Sequence, residues 1–178
     1  MKNVERAKSW VEGFVIAHTL CPFAKVPYEA GQVRFCEITG TGTEAILEEF
    51  WKEVELIDNA DEAEISNSIL VIPALTDSFE GYLDVLDMAA ELLEMQNKAD
   101  KFQLASFHPA YQFEGTTQND PTNYTNRAPV PLIHIIRVEE MARAIASHPD
   151  IESIPIANQV KMRELGEEHL KDFLESLK

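Results

Sequence analysis

Cysteine is scarce in this chain: Cys21 and Cys36 are the two in 178 residues. That is too few for a secreted scaffold stapled by disulfides. Long apolar runs are missing too, since none approaches the roughly 18–20 residues of a membrane span. The opening MKNVERAK is charged and lacks an apolar stretch of signal-peptide length. These absences lead to the expectation of a cytoplasmic protein without membrane contact. Positive charge is short as well: 15 Lys plus Arg stand against 31 Asp plus Glu, a net charge of −16. Phosphate backbones and anionic membrane surfaces both need a basic face, so nucleic acid and membrane are not expected partners. Neither the phosphate-loop pattern G-x-x-x-x-G-K-[ST] nor the dinucleotide pattern G-x-G-x-x-G occurs, and G-x-S-x-G is absent. A metal centre needs three or four convergent ligands. His108, Asp120 and His134 are available, but no H-x-x-x-H, C-x-x-C or H-E-x-x-H spacing gathers them. No cofactor and no oligomeric state is indicated.

What remains is an ordinary folded composition, 45 % apolar and 26 % charged, long enough for one domain with its own core. Apolar spacing predicts an amphipathic helix from Asn3 to about Thr19, ending because Pro22 drives Cys21 out of helical geometry. CPFAKVP reads as irregular, and Gln32–Ile38 as a first strand. A helix follows to about Ala60, with Thr41 and Glu44 as a capping box. From Glu44 to Glu64 there are nine acids and one lysine, a net of −8 and half of the whole surplus. Ser68–Leu75 reads as a buried strand, Asp77-x-x-Glu80 as the cap of the next helix, and Phe102–Phe107 as a third strand. A fourth strand spans Val130–Arg137, with Leu132, His134 and Ile136 on one face. Met141–Ala146 is a short helix ended by Pro149, and a last helix runs from Ser153 to Leu177, weakened locally by Gly166. The order α-β-α-β-α-β-β-α-α predicts a single α/β domain with a mixed four-stranded sheet covered by helices. From the first strand onward, βαβαββα is the element order of a thioredoxin-like fold.

Between the third and fourth strands the residues turn polar. In FHPAYQFEGTTQNDPTNYTNRAPVPLIHIIR, Phe107 to Arg137, the acids Glu114 and Asp120 balance Arg127 and Arg137, a neutral island on an acidic protein. Long polar loops between core strands are uncommon unless functional. His108 sits where a strand becomes a loop, a usual place for catalytic groups, and Tyr111 follows three residues on. Asn123, Asn126 and Arg127 offer amides and a planar guanidinium suited to a carboxylate or phosphate. His134 shares a strand face with apolar neighbours and could meet His108 if the two strands pair. The bland readings are a loop-tethering His108, self-bonded loop amides, an ion-paired Arg127 and a satisfied core His134. In Leu20-Cys21-Pro22-Phe23-Ala24-Lys25 the thiol of Cys21 gains reactivity if Pro22 opens a helical turn or Lys25 lies close. C-P-F-A has no second cysteine, which excludes dithiol exchange within the motif.

The blocks WVEGFVIAHTLCPFAK (Trp10–Lys25), LASFHPAYQF (Leu104–Phe113) and NYTNRAPVPLIHIIR (Asn123–Arg137) resemble the bacterial family catalogued as domain of unknown function 1415. The family commonly has Asn where this chain has Thr19, and Ser where it has Ala128. The resemblance implies a bacterial cytoplasmic protein and assigns no catalytic residue. The residues themselves suggest three functions. The first is an enzyme acting on a small anionic metabolite, with His108 as acid–base group, Cys21 or Tyr111 assisting, and Arg127, Asn126, Asn123 and His134 binding the ligand. The second is a non-catalytic ligand-binding or adaptor module. The third is a single-cysteine thiol redox protein built on Cys21.

Overall fold

The structure is a computed structural model that describes residues 1–148 and 150–178. Pro149, the expected helix stop, lies outside the described residues. Helix α1 (Asn3–Trp10) runs straight into a π-helical segment, Val11–Ile16, in place of the single α-helix expected to Thr19. The stop is local and owes little to Pro22. Leu20 N–H donates to the Val15 carbonyl at 2.9 Å and Thr19 N–H to Ile16 at 3.0 Å, while Thr19 takes φ +53°. That is a Schellman closure with a β-branched residue in the left-handed position. A turn from Cys21 to Ala24 then leads into a short helix, α2 (Lys25–Glu29), where irregular chain was expected.

Strand β1 (Val33–Glu37) is followed by α3 (Thr43–Asn59) and the fully buried β2 (Asn67–Val71). The N-cap of α3 is Gly42 without a side-chain bond, so Thr41 does not form the expected box. β2 stops before Pro73, which has no N–H for a sheet ladder, and Pro73–Leu75 is a 3-10 turn instead of more strand. Ser78, not Asp77, caps α4 (Phe79–Met95): its hydroxyl accepts the Gly81 N–H at 3.0 Å. β3 (Phe102–Phe107) and β4 (Leu132–Arg137) flank the long loop, with Pro131 delaying the start of β4. α5 (Val138–Ala146) starts at once after β4, earlier than expected. The last helical stretch divides at Gly166, φ +77°, into α6 (Ser153–Leu165) and α7 (Glu167–Ser176).

The sheet order is β1-β2-β4-β3, with β1 and β2 parallel and the other two pairings antiparallel. The fold is therefore the expected α/β class with a mixed four-stranded sheet. Period-two alternation sorts each strand into two cores. Leu70, Ile72, Ile133 and Ile135 pack against α3 and α4, while Ile69, Val71 and Leu132 pack against α1, the π segment and the C-terminal helices. Arg137 ties the layers together. Its guanidinium donates to the carbonyls of Ile57, Ala60 and Ile65, holding the negative end of α3 against β4.

Candidate functional site

The loop from His108 to Pro131 turns its polar groups inward. His108 is fully buried against the rings of Phe79 and Tyr82, 5.2 and 5.1 Å away. Its Nε2–H donates to the Leu75 carbonyl at 3.0 Å, and its Nδ1 accepts the Ala110 N–H at 3.0 Å. Both ring nitrogens are used, and burial lowers the pKa below the ordinary 6.5, so the ring is a neutral tether between loop and 3-10 turn. Asn123, also fully buried, accepts from Phe113 N–H at 3.0 Å and Thr116 Oγ1 at 2.9 Å, and donates to the Thr117 carbonyl at 2.8 Å. Asn126 Nδ2 donates to the Ser106 carbonyl at 3.0 Å. Arg127 Nε donates to the Tyr111 carbonyl at 3.0 Å and Nη2 to that of Gln118 at 2.6 Å, with the guanidinium over the Tyr124 ring at 4.7 Å. The Tyr111 hydroxyl lies 3.4 Å from Ser106 Oγ, and Asp120 accepts from Thr122. These groups hold the loop's own backbone in shape.

His134 lies on the other side of the sheet. β3 and β4 do pair, but His134 stands opposite Ala105, so the two histidines face different cores and do not meet. His108, Asp120 and His134 do not converge, and among the described residues no three metal-ligating acid, histidine or cysteine groups do.

The face that His134 shares with Leu132 and Ile136 lines a cavity of about 220 Å3. It lies between the sheet, the end of α1, the Cys21–Pro27 segment and the start of α5, and its lining is chiefly apolar. The volume falls between that of a benzene-sized void, about 150 Å3, and that of drug-sized pockets, about 300–1,000 Å3. Four polar groups punctuate it: the Cys21 thiol, the His134 imidazole, the Asn67 amide and the Glu140 carboxylate. Three of them belong to one directed hydrogen-bond chain. His134 Nε2–H donates to Asn67 Oδ1 at 2.7 Å, Asn67 Nδ2 to Ser66 Oγ at 2.9 Å, and Ser66 Oγ–H to Glu140 Oε1 at 2.5 Å. The amide's polarity fixes the histidine tautomer, leaving Nδ1 as a bare acceptor. At the far end, Glu140 Oε2 is buried without a partner among the described residues, and so is the indole N–H of Trp10, a side chain that is 2 % exposed and also lines the cavity. Unpaired buried polar atoms are rare in native structures and each calls for a reason.

Desolvation drives the His134 pKa from 6.5 down to about 4, which keeps the imidazole neutral at physiological pH. Burial raises the Cys21 thiol above its usual value, while the backbone N–H groups of Phe23 and Ala24 pull it back. Lys25 gives no help, because it pairs with Glu29 at 3.7 Å on the exposed surface. Cys36 packs toward the opposite core, beside Glu53, so both cysteines are free thiols on different faces.

Of the residues singled out in the sequence, the structure thus brings Cys21 and His134, 113 positions apart, to one cavity and leaves His108, Tyr111, Asn123, Asn126 and Arg127 in the loop. Sequence reasoning missed Trp10, Asn67 and Glu140 as site residues. One signal was present: Asn67 opens a buried strand and sits diagonally across from His134, where long side chains reach each other.

Fold and site together define a mixed-sheet α/β protein with an internal small-molecule-sized cavity on one face of the sheet. The chain belongs to the family described as Protein of unknown function (DUF1415), whose sequence model matches residues 2–172. No curated protein and no solved structure matches it. No helix among the described residues is long and apolar enough to cross a membrane.

Proposed function

We propose that this protein is an enzyme acting on a small, mainly apolar molecule held in the cavity beside Cys21 and His134. The observation that carries the reading is the His134 ring, held in one tautomer by Asn67 with a bare Nδ1 on a cavity of ligand size. A neutral imidazole with a free lone pair can accept a proton from a bound reactant, as a weak base because its pKa is about 4, and Asn67 stabilises the charge that forms. Cys21 supplies the nucleophilic atom on the same wall set. The earlier assignment of acid–base work to His108 loses its support here, because that ring has no free nitrogen. An anionic substrate is also disfavoured in this cavity, which no lysine or arginine lines.

The test uses 2-chloroacetophenone, an apolar electrophile of matching size: Cys21 Sγ bonds to its CH2 carbon as chloride leaves, and the thiol proton passes to His134 Nδ1. Alkylation of Cys21 is expected to be slowed by benzyl alcohol, which competes for the cavity. It should be slowed roughly tenfold by His134→Gln, less than the roughly hundredfold or more of a base whose pKa matches the working pH. Equal rates in both proteins, with no protection by benzyl alcohol, would overturn the reading.

A further inference from the structure

The polar end of the cavity carries a carboxylate and no positively charged side chain among the described residues. Its hydrogen-bond chain starts at a bare lone pair on His134 Nδ1 and ends at an unpartnered oxygen, Glu140 Oε2. Along the chain each bond runs to the next residue, and one of the two Asn67 Nδ2 N–H groups is left over. The other donors are the Cys21 thiol and the Trp10 indole N–H, whose ring, with those of Phe23 and Phe107, forms the aromatic part of the lining. An ammonium group has three N–H donors, no acceptor and a positive charge. Two free acceptors, one of them a carboxylate, match the donors, and aromatic faces attract the charge. The lining has no Lys or Arg to repel a cation, and the −16 net charge of the protein enriches cations around it. A carboxylate ligand instead meets the like charge of Glu140 with no cation in the lining to offset it.

We infer that the molecule taken into this cavity is a small primary amine with an apolar, preferably aromatic, body, its nitrogen directed to Glu140 and His134. The inference rests on the cavity being the working site. Three probes of equal body and different head group test it: benzylamine, benzyl alcohol and benzoate. Binding is followed by 1H–15N NMR through the Trp10 indole cross-peak and fitted to a Kd for each. Benzylamine is expected to bind at least about tenfold more tightly than benzoate, the size of one charge-assisted hydrogen bond. Glu140→Gln, which keeps the acceptor for Ser66, should remove most of that preference and change the benzyl alcohol Kd less than about twofold. Glu139→Gln, on the exposed neighbour, should change none of the three. Benzoate binding as tightly as benzylamine, or a preference that survives Glu140→Gln, overturns the amine assignment while benzyl alcohol binding leaves the cavity reading standing. No shift of the indole peak with any probe overturns both.

Discussion

Thr19 carries a cost that its neighbours impose. The Schellman closure places it at φ +53°, where a β-branched side chain crowds the backbone and Asn or Gly does not. Asn tolerates the left-handed region at lower cost than a β-branched residue. Thr19→Asn is therefore expected to stabilise the protein by about 1 kcal/mol in urea unfolding. His134 is the second residue with a measurable signature. Its folded pKa of about 4 lies below the ordinary 6.5, so the unfolded chain binds the proton more tightly. Stability attributable to it is intact above pH 6.5 and falls as the pH drops toward 4, by roughly 2–3 kcal/mol in all. His108 and His18 are lowered in the same direction by burial, whereas Asp58 and Asp120 are held below 3.8 and stay out of this window. Urea unfolding at pH 7 and at pH 4.5 should show the loss, and His134→Gln should flatten it. An unchanged slope in that variant would mean that the ring is not desolvated.

At the scale of elements, the loop between β3 and β4 behaves as a packed unit and not as a flexible lid. Asn123→Ala strips the side-chain partner from the Phe113 N–H and the Thr117 carbonyl, while the Thr116 hydroxyl keeps the Phe113 carbonyl. With Asn123 fully buried, the expected loss is about 2–4 kcal/mol, accompanied by faster hydrogen exchange between residues 109 and 126. Slow exchange in that variant would show that Arg127 and His108 hold the loop unaided. The break between α6 and α7 is set by Gly166, at φ +77° and ψ 153°, a region nearly closed to other residues. Gly166→Ala should lower stability by about 1–3 kcal/mol, read in the same unfolding assay. The π segment Val11–Ile16 contributes Val11 and Val15 to the cavity wall, in keeping with the frequent placement of π turns at functional sites.

For the whole molecule, the dominant global force is self-repulsion. With 31 acids against 15 bases, and −8 concentrated between Glu44 and Glu64, added salt should screen more repulsion than attraction. Calorimetry is expected to show Tm rising by a few degrees between about 20 and about 300 mM NaCl, and a falling Tm would mean that the surface ion pairs dominate. Those pairs are few and exposed, such as Lys52–Glu48 and Lys25–Glu29, and exposed pairs contribute little. The buried exception is Glu53, held by Arg34 at 2.7 Å and Ser68 at 2.5 Å in the core under α3.

The sequence by itself determined the layers. Helices α3 and α4 and strands β2, β3 and β4 were legible because apolar spacing at 3.6 or 2 is a local property of neighbouring residues. The shared face of Leu132, His134 and Ile136 was legible for the same reason. Boundaries shifted where a single cap or proline decided them, as at Ser78, Gly42 and Pro73. The site was decided by tertiary structure alone. His108 and His134 look alike in sequence, each a histidine beside an apolar strand. Which one keeps a free nitrogen depends on partners in space: Leu75 and Ala110 occupy both nitrogens of the first, and Asn67, from 67 positions away, occupies one of the second. Hydrogen-bond satisfaction is a property of neighbours in space, and so is a cavity whose walls come from seven separate segments of chain. The polar loop that stood out in the sequence proved to be bonded to itself, and its last strand carries the histidine that faces the cavity.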